Sequence, residues 1–219
     1  MADGPVTAPA QGGLPAVVAW LSPACPVGAF SFSHGLEWAV GSGAVTDAAT
    51  LQAWIADLLE HGAGRGDAIL LAYAQRSADV SEVAALARAL APSAERALET
   101  EEMGASLASA LREGWGIAVD PAPYPVVLGQ AAAVVQVPVA SVLPLFLHAF
   151  AGNLVSAGIR LIPIGQTDGQ KVLAALMPLC HRIAAEAETA PLDALGGCAF
   201  AVDIASMRHE TQQVRLFRS

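Results

Sequence analysis

The residues best equipped for chemistry stand together near the start of the chain: Ser33, His34 and Glu37. A hydroxyl, an imidazole and a carboxylate are the ingredients of nucleophilic catalysis, which needs them within about 3 Å of one another. A small hydrolase using Ser33, His34 and Glu37 is therefore one reading. Against it, triad members converge through the fold rather than by adjacency, and the strand-turn-helix setting of a Gly-x-Ser-x-Gly elbow is missing. Asp57, Glu60 and His61 fall at i, i+3 and i+4 and could share a helix face. A di-iron bundle needs four carboxylates and two Glu-x-x-His pairs, and no second segment supplies such a pair. A hydrated helix end is the plainer reading, and no metal site is expected. Lys171, the single lysine, follows Gly165-Gln-Thr-Asp-Gly-Gln but lacks the Gly-Lys-Ser/Thr core of a phosphate loop. Nucleotide binding by the chain alone is not expected either. His148, inside Leu-Phe-Leu-His-Ala-Phe, reads as a hydrogen-bonded core histidine. Cys25, beside Pro26, is the most plausible soft-metal contact, but it stands alone.

The elements that must position these groups are helical. Of 219 residues 47 are alanine, and hydrophobic types make up 54% against 14% charged. That balance excludes a disordered chain and favours closely packed helices. The net charge of −9 leaves no general basic footprint for nucleic acid. Residues 1–13 are rich in small residues, proline and glycine and read as a disordered lead-in. Thr46 or Asp47 can cap a helix carrying Leu51, Trp54, Ile55, Leu58 and Leu59 and ending at Gly62. Asp79 and Glu82 are spaced as a capping box before Val83, Leu86 and Leu90. After Pro92-Ser93, Met103, Leu107 and Leu111 repeat every four residues, with Glu95, Glu99 and Glu102 assigned to other faces. Residues 124–136, 139–161 and 168–188 read as three further helices, the last bent at Pro178. No alternating run suggests a sheet. The fold class is all-α, a single-domain bundle of roughly eight to ten helices at about 11–12 residues each.

The stretch between Asp120 and Arg160 holds 39 residues without Asp, Glu, Lys or Arg, enough for a membrane span of roughly 20. Gln130, Gln136, His148 and Asn153, the prolines 138 and 144, and flanks without Lys/Arg clusters argue for two buried core helices instead. The first basic residue is Arg65, so neither a secretory signal nor a transit peptide is expected. Three cysteines without repeated spacing read as reduced thiols, and the chain is expected to be cytoplasmic.

Three segments are more specific than packing requires. In Ser22–Glu37, Pro23, Pro26 and Gly28 demand an irregular backbone, Phe30 and Phe32 can pin it, and Ser33 can cap a helix bearing Glu37. In Asn153–Gln170, Asn153, Ser156, Arg160, Gln166, Thr167 and Gln170 interrupt apolar surface and need partners. Gly152, Ser156 and Ala157 would let another helix approach closely, as an internal seam or a subunit interface. The last 13 residues carry Arg208, Arg215 and Arg218 against Glu210, a side-chain sum of +3 − 1 = +2. Such a tail, ending near Leu216-Phe217, can dock on its own acidic body or on a partner, or fray.

Those segments resemble the UreF family of urease accessory proteins. The first match is Pro26-Val-Gly28-Ala-Phe30-Ser-Phe32-Ser33-His-Gly35-Leu36-Glu37. The second joins Asn153-Leu-Val-Ser156-Ala to Arg160-Leu-x-Pro163-Ile-Gly165-Gln166-Thr167-x-Gly169-Gln170. The third runs from Asp203-Ile-x-Ser206-Met207-Arg208-His209-Glu210-Thr211-Gln212 to Arg215-Leu216-Phe217-Arg218-Ser219. The resemblance implies an all-helical domain over residues 14–200, a tail over 201–219 that a partner orders, and no catalysis. It implies a homodimer that binds UreD (UreH), recruits the GTPase UreG, and supports nickel insertion into apo-urease without itself holding a cofactor. It assigns Pro26, Gly28, Phe30, Phe32, Ser33, Gly35 and Glu37 to a GTPase-associated loop, and Asn153, Ser156, Arg160 and Gln166 to a scaffold helix. It assigns Arg208, His209, Glu210, Arg215, Phe217 and Arg218 to the partner-binding tail, where Arg215 fixes the recruiting surface. Phe32 replaces the family's Tyr, Gln213-Val214 replaces Tyr-Ser, and Cys25 stands where Phe often precedes the proline.

Overall fold

Two of the helices begin at a side-chain cap, Asp47 and Ser93, and others start at glycine or proline. The computed structural model describes residues 13–219, so the lead-in expected over 1–13 lies outside the described residues except for Gly13. In chain order the helices are α1 (Gly13–Leu21), α2 (Leu36–Gly41), α3 (Ala48–His61), α4 (Ala63–Arg76), α5 (Ser81–Ala89), α6 (Ala94–Trp115), α7 (Tyr124–Val134), α8 (Val139–Leu161), α9 (Gln166–Thr189) and α10 (Phe200–His209). Short 3-10 turns lie at Ala29–Ser31 and Leu192–Ala194, and the described residues contain no strand.

Asp47 starts α3 with a complete capping box: its carboxylate accepts from the Thr50 N–H at 2.8 Å, and the Thr50 hydroxyl accepts from the Asp47 N–H at 3.0 Å. Ser93 opens α6 by accepting from the Arg96 N–H at 3.1 Å, and Gly116 ends it at φ 66°. The box expected at Asp79–Glu82 does not form. Asp79 instead accepts from the Ser81 N–H at 2.9 Å, a local Asx turn that uses up its carboxylate before α5 begins. The helix expected to reach residue 136 stops at Val134, and Gln136 turns the chain at φ 56°.

The core forms around α4, whose Ala68, Ile69, Leu70, Leu71, Ala72 and Ala74 are buried on every side by α3, α7, α8 and α9. The tightest crossing is with α7. A Cβ on Gly129 would lie 2.5 Å from the Leu71 carbonyl oxygen, so glycine sets how closely these two axes approach. The α8 helix, whose one charged residue is Arg160 in its last turn, is long and apolar enough to span a membrane by composition, yet half of its apolar window is buried inside the chain. It packs against α9, α4, α1, α3 and α2 as a central helix of the bundle. Its small residues divide in two. Gly158 meets the Leu51 side chain inside the bundle, whereas nothing lies within 4 Å of a Cβ on Gly152, and Ser156 is exposed.

Candidate functional site: a tail seated on a buried acid

Glu37 owes its place to the backbone before it. His34 and Gly35 both sit at positive φ, 52° and 74°, and turn the chain sharply into α2. A Cβ on Gly35 would lie 2.5 Å from the Ser206 nitrogen of α10, so only glycine fits between these elements. Ser33 accepts from the Glu37 N–H at 3.3 Å, which satisfies one amide of the first turn. The result is a buried carboxylate at the start of α2, facing α10.

The tail fills the space in front of it. Glu37 accepts from the Leu216 N–H at 2.7 Å and the Phe217 N–H at 2.8 Å, and its Oε2 lies 3.2 Å from His209 Nε2. Two backbone bonds continue the contact: Arg218 N–H to the Ser31 carbonyl, and Ser33 N–H to the Ser219 carbonyl, each 2.8 Å. Arg215 pairs with Glu95 at 2.6 Å and Arg218 with Glu102 at 2.6 Å. Phe217 is buried beneath the Arg160 guanidinium, 4.4 Å from its ring centroid, while Arg160 also donates to the Phe30 carbonyl at 3.1 Å. Glu210 accepts from the Ala94 N–H at 2.8 Å. The residues expected to await a partner, 201–219, are thus seated on the chain's own body here. The boundary drawn at residue 200 falls at the first residue of α10.

Burial works against the charged form of Glu37, but the amides of Leu216 and Phe217, with His209, hold its carboxyl below the usual carboxylate range. A second buried cluster lies behind the first. Arg96 pairs with Asp67, His34 Nε2 lies 3.0 Å from Glu99 Oε1, and the Ser219 hydroxyl donates to Glu99 at 3.2 Å. Burial again opposes the Glu99 charge, and the facing His34 and Arg96 more than offset it, leaving the group low. Ser93 and Ser206 share a hydrogen bond of 2.6 Å at the α6–α10 contact. His34, Asp67, Arg96 and Glu99 floor a cavity of about 70 Å³ walled by Trp20, Phe146 and Phe150.

The hydrolase reading fails on this geometry. Ser33 Oγ donates to the Ser219 carbonyl, His34 turns to Glu99, and Glu37 is taken by tail amides, so the three side chains serve three different partners. Of the other residues singled out in the sequence, Phe32 is buried with Arg218 5.4 Å over its ring, and Asn153 lines the cavity. Phe30 is 70% exposed, and Pro26, Ser156, Gln166 and Arg208 are exposed. Gly28 leads into the Ala29–Ser31 turn. Gln213 and Val214, in the place of the family's Tyr-Ser, are both exposed, Val214 by 85%. His148 is an exposed residue against the Met177 sulfur at 3.2 Å, not a core histidine. Among the described residues no three His, Cys, Asp or Glu side chains are grouped to hold a metal ion.

Sequence reasoning did not single out Asp67, Arg96 or Glu99 as site residues. Glu99 carried a signal, because it precedes Met103, Leu107 and Leu111 on the same four-residue repeat and so belongs to the buried stripe. Asp67 and Arg96 carried none, since their pairing is between two helices.

The UreF family model matches residues 45–177, more than half of the chain. The urease accessory protein UreF of Cereibacter sphaeroides strain KD131 is 60% identical over 203 residues, covering 93% of this chain and 97% of that protein. The chain belongs to the UreF family. The UreF of Rhodopseudomonas palustris strain HaA2 is 47% identical, covering 99% of this chain and 98% of its own length. That of Roseobacter denitrificans is 48% identical over 91% of each chain. The UreF family is one of accessory proteins, not enzymes, consistent with Ser33, His34 and Glu37 being engaged in structure.

Proposed function

We propose that this UreF-family chain is a non-catalytic scaffold in the maturation of urease. With UreD (UreH) it recruits the GTPase UreG to apo-urease and supports GTP-dependent insertion of nickel, which is cargo and not a resident cofactor. One observation carries the reading: the reactive groups of the site are consumed in seating residues 210–219, and what reaches the outside is a shaped surface. That surface sets the Glu37 loop, Arg160, Arg215 and Arg218 side by side, so a partner that touches the tail touches the loop as well. The open strip at Gly152 and Ser156 supports pairing of two copies along α8, since nothing among the described residues lies within 4 Å of a Cβ on Gly152. The work is placed in the cytoplasm, in keeping with three free cysteines.

Co-expression with tagged UreD, UreG and apo-urease tests it. The wild-type chain should bring all three through size exclusion as one complex, and Arg215→Ala should retain UreD while losing UreG. An Arg215→Ala chain that still forms the full complex would count against the reading.

A further inference from the structure

We propose that residues 200–219 are clamped by a His209 imidazolium that bridges Glu95 and Glu37. His209 closes α10, and its side chain is 0% exposed. Its Nδ1 lies 2.7 Å from Glu95 Oε2 on α6, and its Nε2 lies 3.2 Å from Glu37 Oε2 on α2. An ionised carboxylate only accepts hydrogen bonds. Both acids are held ionised by other donors: Arg215 on the second oxygen of Glu95, and the Leu216 and Phe217 amides on Glu37. Each ring nitrogen therefore has to carry a hydrogen, which makes the ring an imidazolium. A neutral ring would aim a bare lone pair at a buried carboxylate oxygen and lose one of the two bonds.

The charges meet in complementary pairs across the contact. The segment brings His209 and Arg215, the body brings Glu37 and Glu95, and the four sum to zero. With a neutral ring the four groups would carry one negative charge in excess beside a fully buried side chain. Other groups around α10 do not substitute for it. On α6, Ser93 bonds Ser206 and the Ala94 N–H is taken by Glu210. Arg208 on α10 is exposed. On the side of α3, Asp57 is the charged group near the Cys198–Asp203 pair, at the opposite end of α10.

The relevance to partners rests on the scaffold reading, but the clamp itself is a property of the chain alone and is tested without them. Nitrogen-15 spectra of the imidazoles in the full chain at about pH 7 should show His209 protonated on both nitrogens. The opening constant of the Leu216 and Phe217 amides, from hydrogen exchange at about pH 7 corrected for intrinsic rates, should rise about tenfold in His209→Gln, whose uncharged side chain cannot bridge Glu95 and Glu37. A neutral His209 beneath protected tail amides, or an unchanged opening constant in His209→Gln, would overturn the clamp. If the variant does not fold, the wild-type spectrum alone decides. A chain that fails to recruit UreG yet shows the clamp refutes the scaffold reading only.

Discussion

A carboxylate that accepts two adjacent backbone amides has no substitute among uncharged side chains. In Glu37→Gln one oxygen becomes an NH2 group facing the N–H donors of Leu216 and Phe217, and stability should fall by about 1–3 kcal/mol in urea denaturation. The pH dependence has a definite sign. Because the folded carboxyl is held low, its contribution is complete above the ordinary range of a glutamic acid, about 4.3, and is lost as pH falls through the lowered value. The difference in unfolding midpoint between wild type and Glu37→Gln should therefore be full at neutral pH and shrink in strong acid. A difference that persists unchanged there would contradict it. From the sequence, Glu37 could be placed at the start of a helix and next to a special turn, which the structure bears out. Its partners could not, because they lie about 180 residues away and are backbone amides without any residue-type signature.

Helices were the most legible level, since their signals are local. Asp47, Ser93, the four-residue repeat of α6 and the apolar run of α8 each announce an element through spacing within one or two turns. What misled was local chemistry with more than one outlet, as at Asp79, where an Asx turn competes with a capping box. Two substitutions separate cap from crossing. Asp47→Ala removes an exposed cap and should cost about 1 kcal/mol. Gly35→Ala both strains a left-handed turn and drives a methyl into the α10 backbone, and should cost more, about 2–4 kcal/mol by the same denaturation measurement. Equal costs would mean that α2 and α10 can separate freely, and that Gly35 does not set their approach.

As a molecule, the chain is a bundle whose first loop, first turns of α6 and last residues converge, though they are far apart in sequence. The apolar core is what its alanine-rich composition leads one to expect. The buried polar cluster is not, because Asp67, Arg96 and His34 each look like a surface residue until α4, α6 and the loop before α2 bring them together around Glu99. The tail's basic character left docking on the chain's own acidic body, docking on a partner and fraying all open, and Glu95 and Glu102 supply an acidic surface within the same chain. This surface of seated tail and Glu37 loop, rather than any reactive group, is the chain's proposed contribution to urease maturation. The most direct test is reconstituted activation of apo-urease with UreD, UreG, nickel and GTP, comparing wild type with Arg215→Ala. The account predicts that the variant keeps its fold by circular dichroism and activates urease no better than a mixture lacking the chain. Full activation by Arg215→Ala would contradict it.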